Sequence, residues 1–302
     1  MKAILCSKSG PPEILRLVDV QMPRPGNGEI LVQVHYATVT SGDVKLRRFP
    51  RLFLALIGLI FGFKPMKVLG IEYSGVVTEV GPEVTSFRVG EAVVGTTTGL
   101  SYGANAEYVV VPVEPRLGVL VRKPEELSFR EAAANVVGPL AALQLLNRAR
   151  IEQGTRVLVY GASGSVGAAA VQLAKHFGAK VTGVCSTPNL NLVSSLGADV
   201  VIDYTTTDFV SAGGNYDVVF DAVGKISRKL VQPVLSNHGS FLSVKSSTKE
   251  KVEELEFIQS LAAQGSLKAP IDREISLAEI PEAHAYVESG RKKGNIVVAV
   301  HR

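Results

Sequence analysis

Ala162, Gly164 and Gly167 stand in the order A-x-G-x-x-G just after the apolar run Val157–Tyr160 and the turn residue Gly161. A helical pattern with an apolar face (Val171, Leu173, Ala174, Phe177) follows them. Small residues between a strand and a helix allow a tight turn, let a pyrophosphate come up to the backbone, and let the helix lie close on its strand. The helix N–H groups and positive dipole end then face the phosphates. The same residues also suit packing alone, so the flanking strand and helix carry the reading of a dinucleotide site. The next strand-like run, Lys180–Cys185, ends in Ser186, Thr187, Pro188 and Asn189 with no acid. An NAD site places an acid about 20 residues past the glycine turn to bind the ribose hydroxyls. Ser186, Thr187 and Asn189 offer hydroxyl and amide groups for a 2′-phosphate instead, so NADPH is the expected cofactor. The three also suit helix capping. Arg291, Lys292 and Lys293 in the tail are the candidate charge partners for that phosphate.

These residues need a scaffold, and the chain's patterning supplies one. Up to about Pro112 the text is β-rich, with strand-like runs at 29–36, 75–80, 91–94 and 108–111. Ser128 with Glu131 reads as a capping box opening a helix, and helical text continues to Arg150. From Thr155 strands and helices alternate, which predicts right-handed βαβ units and a parallel sheet. A helix is expected at 250–263 and a mixed tail at 271–300, with a strand over 295–300. No internal repeat or low-complexity tract is present.

The 302 residues suggest about two domains, at ~100–200 residues each. Hydrophobic residues make up 46% and charged ones 20%, which is a globular composition with ample core. The net charge of +4 is spread without a basic block, so no nucleic-acid partner is expected. Two cysteines, Cys6 and Cys185, are too few for a disulfide framework, and the text opens on a strand rather than a secretory signal. A cytoplasmic setting is the expectation. The apolar run Leu52–Phe63, flanked by Arg47, Arg48, Arg51, Lys64 and Lys67, is too short to span a bilayer, which takes ~20 residues. It reads as a buried helix or folded-down loop, with a flap over a lipophilic substrate or a shallow membrane contact as alternatives.

Taken in order, Gly28–Val34 (G-E-I-L-V-Q-V), Val68–Gly81, Gly161–Lys175, Ser195–Tyr204 (S-L-G-A-D-V-V-I-D-Y) and Tyr216–Gly224 (Y-D-V-V-F-D-A-V-G) resemble the medium-chain dehydrogenase/reductases. Within them the chain is most similar to the zinc-independent quinone oxidoreductase branch. The resemblance covers nearly the whole chain. It implies an α/β protein with a GroES-like β-rich catalytic domain (1–113 and 270–302) and a Rossmann domain (114–269). Zinc members carry a Cys and a Gly-His-Glu where this chain has Thr40 and Gly70-Ile71-Glu72, and neither Thr nor Ile replaces thiolate or imidazole. No metal is therefore expected.

Without a Lewis acid, hydride addition to a quinone or an α,β-unsaturated carbonyl is easier than alcohol oxidation. By family position Thr40, Asp43 and Lys45 would line the nicotinamide side, with Tyr73 and Tyr102 as candidate proton donors. Ser163, Gly164, Ser165 and Val166, beside Gly161 and Ala162, would meet the pyrophosphate. Tyr204 would lie near the adenosine phosphate, Ala222, Val223 and Gly224 near the nicotinamide ribose, Ser243 would also contact the cofactor, and Gly294 and Asn295 would close over it. Each has a plainer reading, as turn, cap or core. His176, His238 and His284 read as surface positions. Two departures stand out: Leu140 where relatives have Thr, and a short 245–249 connection that leaves no room for a sixth sheet strand, so homodimer and monomer both stay open. A small lipophilic quinone or enone is the expected partner. A non-catalytic NADPH-binding or scaffold role and an alcohol dehydrogenase-like enzyme are the alternatives. A short-chain dehydrogenase is excluded, since no tyrosine is followed by Lys four residues on.

Overall fold

A computed structural model describes residues 1–61, 67–99 and 103–301. The N-terminal part holds strands β1 (Lys2–Leu5), β2 (Arg16–Asp19), β3 (Glu29–Thr38), β4 (Glu72–Val80), β5 (Ala92–Thr96), β6 (Tyr108–Pro112) and β7 (Leu120–Arg122). Its helices are α1 (Ser41–Arg48), α2 (Arg51–Phe61) and α3 (Phe129–Ala134). The middle alternates α4 (Val137–Leu146), β8 (Arg156–Tyr160), α5 (Ser165–His176), β9 (Lys180–Cys185), α6 (Leu190–Ser195), β10 (Val200–Asp203), β11 (Tyr216–Asp221), α7 (Arg228–Val231) and β12 (Leu235–Ser243). The last part runs α8 (Val252–Ala263), β13 (Ile271–Ser276), α9 (Ile280–Glu288) and β14 (Asn295–Ala299).

Two compact units result: Met1–Val136 with Glu250–Ala263 and Ile271–Arg302, and Val137–Lys249 with Gln264–Pro270. The expected boundary at 113–114 is too early. Capped by Ser128, α3 packs on β3, β4 and β14 and stays with the first unit. Helix α8, expected in the Rossmann domain, belongs there too: the Gln259 side-chain amide donates to the carbonyls of Ala132 and Asn135 at 3.2 and 2.9 Å.

The first unit is a sheet in the order β13-β14-β3-β4-β5-β7, with β6 also on β3. One edge of β3 is shared, residues 29–33 pairing β6 and residues 36–38 pairing β14. Period-two alternation turns Ile30, Val32 and Val34 into a core with Tyr73, Val77, Val93, Val109, Ile296 and Val298. The second unit is a parallel sheet in the order β10-β9-β8-β11-β12. The chain leaves β8 outward to β9 and β10 and then returns to β11 on its other side. That reversal opens a crevice beyond the C-terminal ends of β8 and β11. Five strands make up this sheet among the described residues. The 245–249 connection follows β12 directly, and both amide groups of Gln144 bond to the Lys249 backbone.

Helix α2 forms over most of the apolar run, but the expectation of a buried helix fails on one face. Leu54, Ile57 and Gly58 turn inward, while Leu52, Leu59 and Ile60 are 76, 84 and 77% exposed and Phe53 and Leu56 are about half exposed. Fully burying such a side chain is worth about 1.5–3 kcal/mol, most of which is not realised at Leu52, Leu59 and Ile60. Gly62 and Phe63 lie outside the described residues.

His284 also departs from its expected surface position. On α9 it shares the inward face with Ile280, Ala283 and Val287, has no exposed surface, and neither ring nitrogen has a partner among the described residues. Burial, reinforced by the nearby Arg47 guanidinium, pushes its pKa down to about 3. The neutral ring is thus kept in the fold while the unfolded chain takes a proton near pH 6.5. Above that pH the group adds no penalty; as pH falls from 6.5 toward 3 it withdraws about 1.4 kcal/mol per unit. Urea unfolding at pH 7.5, 6.5, 5.5 and 4.5 should show a shallower acid loss for His284→Leu than for the parent. Parallel curves would sink the assignment.

Candidate active site at the strand ends

The crevice is built from missing side chains. Gly161 leaves β8 at φ 80°, where a Cβ would collide with the Val223 side chain. The N–H groups of Gly161 and Ala162 both donate to the Val184 carbonyl at 3.0 Å, fastening the turn to β9. A Cβ on Gly167 would strike the Gly161 carbonyl, so its absence sets how near α5 lies to the turn. Gly164 caps α5 without any side chain across the helix end. Ser163, Gly164, Ser165 and Val166 are all part-exposed there. A helix start of this kind offers backbone N–H groups to an anion. Leu140 is buried in α4 and brings no hydroxyl.

Asp221, which the sequence reading passed over, organises the opposite wall. Fully buried at the end of β11, its carboxylate accepts from the N–H groups of Val223 (3.1 Å), Gly224 (2.8 Å), Lys225 (3.4 Å) and Ile226 (3.3 Å). Ser243 Oγ donates to it at 3.2 Å. The Ala222 N–H donates to the Tyr160 carbonyl at 3.0 Å, so Ala222, Val223 and Gly224 stand beside the glycine turn. Ser243 is thereby a brace for this loop rather than an open cofactor contact. The visible signal was an acid closing a strand, F-D-A-V-G.

The other side of the crevice corrects a premise. No acid follows β9 in sequence, but β9 and β10 pair with Asp203 opposite Cys185. Thr187 Oγ donates to Asp203 at 2.5 Å, and Thr205 contributes its N–H (2.9 Å) and hydroxyl (2.7 Å). These bonds, Thr187's first, hold the Asp203 carboxyl below its usual pKa. Asn189 is committed too, its amide donating to Ser186 Oγ at 3.1 Å. Tyr204 is exposed, its ring 6.3 Å from that of Tyr160. An acid therefore sits within the polar cluster expected to receive a 2′-phosphate.

In the first unit, Thr40 and Asp43 come together as a capping box on α1. Thr40 Oγ donates to Asp43 at 2.6 Å and accepts its N–H at 3.1 Å. The other Asp43 oxygen takes the Gly70 N–H at 2.9 Å, clamping α1 to the segment before β4. Burial raises the Asp43 pKa against these bonds. Lys45 is exposed on α1. Tyr73 is core, with no exposed surface and its hydroxyl against Gly95. Burial alone pushes its pKa up, and the hydroxyl has no exposed surface from which to reach a ligand. Tyr102 lies outside the described residues. Gly294 and Asn295 open β14, and Lys292 Nζ donates to the Gly294 carbonyl at 2.7 Å. The Lys293 N–H donates to Asp272 at 3.0 Å. Lys292 is thus tied within its own unit rather than held out for a phosphate.

Family models described as "Alcohol dehydrogenase GroES-like domain" and "Zinc-binding dehydrogenase" match residues 26–124 and 165–268. The chain is 32% identical to the "Chloroplast envelope quinone oxidoreductase homolog" of Arabidopsis thaliana, over 94% of this chain and 93% of that one. It is 30% identical to that plant's "NADPH-dependent alkenal/one oxidoreductase, chloroplastic", over 99% of this chain and 79% of that one. The solved quinone oxidoreductase from Coxiella burnetii superposes with a TM-score of 0.85 at 30% identity, covering 100% and 99% of the two chains. A catalytic zinc does not fit here: Thr40 is spent on Asp43, and the aliphatic Ile71 side chain packs toward Gly42.

Because four N–H groups converge on Asp221, Asp221→Ala should loosen residues 222–226. Hydrogen bonds to a buried charge are each worth about 1.5–3 kcal/mol, so a stability loss of at least about 2 kcal/mol is expected in urea. Dinucleotide affinity should fall by about tenfold in a fluorescence titration. Unchanged affinity in the folded variant would mean that this loop does not border the cofactor.

Proposed function

This chain belongs to the medium-chain dehydrogenase/reductase superfamily, in its quinone oxidoreductase branch, and from that premise we propose that it reduces quinones or α,β-unsaturated carbonyls with NADPH. The observation that carries the reading is a glycine turn of the dinucleotide-binding type at the strand-order reversal, in a chain whose metal-ligand positions hold Thr40 and Ile71. Without zinc to polarise a carbonyl, conjugated acceptors are the substrates that remain easy. The names of the relatives, a quinone oxidoreductase homolog and an alkenal/one oxidoreductase, support the same class.

The N-terminus of α5 would hold the pyrophosphate, and the loop braced by Asp221 and Ser243 would border the nicotinamide ribose. When bound, the reduced nicotinamide supplies a hydride. The protein's share is to position the acceptor, whose oxygen takes its proton from solvent. One observation favours a second reading, a non-catalytic NADPH-binding protein: Tyr73 is buried and the Thr40 hydroxyl is engaged, so no exposed hydroxyl donor stands at those positions. We assign the protein to a reducing, cytoplasm-like compartment, in keeping with Cys6 and Cys185, both buried and unbridged.

Stopped-flow NADPH oxidation with a panel of quinones and enones tests the activity. Turnover that survives chelation is expected; activity lost to a chelator and restored by zinc overturns the metal-free reading, and no turnover with any acceptor favours the binding protein.

Cofactor choice has its own test. NADPH should bind more tightly than NADH, by a margin that Asp203 narrows through repulsion of the 2′-phosphate. Asp203→Asn should tighten NADPH by roughly threefold and leave NADH almost unchanged. Equal affinities for both cofactors in the parent and the variant would show that Ser186, Thr187 and Asn189 read no phosphate.

A further inference from the structure

The outward face of α2 has no role in the reading above, and its chemistry specifies what covers it. At 100° per residue Leu52, Phe53, Leu56, Leu59 and Ile60 fall on one arc of about 120°, roughly a third of the helix circumference. All five are exposed, while the opposite arc, with Leu54, Ile57 and Gly58, turns toward the first unit. A helix that is apolar all round is ordinarily covered all round. Phe49, just before α2, adds to the same surface, its ring 5.3 Å from that of Phe53.

Charge identifies the cover. From Val44 to Ile71 the sequence has six Lys or Arg (Lys45, Arg47, Arg48, Arg51, Lys64, Lys67) and no Asp or Glu. The whole chain carries +4, so the remainder is net negative by two; the even spread of charge expected from the sequence fails over this segment, although Arg47 itself is buried against Glu288. Glu288 on α9 reaches the cluster and meets both Arg47 and Arg48. Arg48 remains 69% exposed, and Lys45 and Lys67 are exposed as well. A second copy docked symmetrically on this face would set like charge against like charge. An anionic lipid surface offers an apolar layer for the five side chains and negative headgroups for the flanking cations. At 11 residues, about 16 Å, the helix is long enough to lie in a bilayer interface and too short to cross it.

We propose that α2 is an interfacial anchor that docks this protein on anionic membranes, its Leu52-Phe53-Leu56-Leu59-Ile60 face sunk among the lipids and its basic flanks at the headgroups. The anchor stands independently of the redox reading.

Flotation of the full chain with phosphatidylcholine vesicles, with and without about one-third phosphatidylglycerol, tests it. Binding is expected to the anionic vesicles, far less to the neutral ones, and to weaken with added salt. Leu56→Ser with Leu59→Ser, both at exposed positions, should cut binding by at least about tenfold and leave circular dichroism and NADPH affinity unchanged. Failure of the parent protein to float with anionic vesicles overturns the proposal, as does equal flotation of the double variant. So does a dimer in sedimentation that dissociates in the double variant while neither protein floats, which would make a second copy the cover.

Discussion

The second unit depends on two places where backbone must touch without a Cβ between. At Gly161 the chain leaves β8 with a positive φ and leaves room for Val223; at Gly167 helix α5 comes down onto the Gly161 carbonyl. Any side chain at either point would push α5 away from β8 or the 222–226 loop away from the turn. The N-terminus of α5 would then no longer end over the crevice, and the N–H groups it offers to an anion would lose their direction. The order β10-β9-β8-β11-β12 creates the crevice, but this contact turns it into a binding surface.

Two carboxylates, Asp203 on β10 and Asp221 on β11, end strands of the same parallel sheet, and their surroundings differ. Asp221 is sealed from water and fully occupied by backbone N–H groups and Ser243, so it shapes a loop and faces no ligand. Asp203 is held by hydroxyls in the part-exposed cluster beside the end of β9. Identical chemistry is sealed into a scaffold in one place and left part-exposed in the other. In the first unit Asp43 repeats the scaffold role, joining α1 to the segment before β4.

Local pattern made much of this legible before the fold. The glycine turn, the alternation of strand and helix after Thr155 and the absence of metal-ligand residue types are all contained in short stretches of text. What escaped depends on contacts between distant stretches. Asp203 reaches Thr187 only through the β9–β10 register, which no spacing in the sequence reports. His284 and Tyr73 went astray for a related reason: helix text does not say which face packs inward, and a tyrosine on a strand reads alike in a core or a cleft. The unit boundary shifted because α3 and α8, though helical, pack on the first unit's side. For α2, composition announced an apolar helix and could not announce that half of it would be left uncovered.

The sheet of the first unit is not closed by consecutive chain. Residues Tyr36–Thr38 of β3 find their partner in Val297–Ala299 of β14, while every strand of the second unit lies between the two in sequence. On a ribosome adding about 5–20 residues per second, β3 is complete roughly 13–50 s before its partner is made. The parallel sheet of the second unit has all its strands by Ser243 and can fold in that interval. The unit that starts first is therefore finished last, and for that time a three-residue stretch of β-edge is left open to any passing strand.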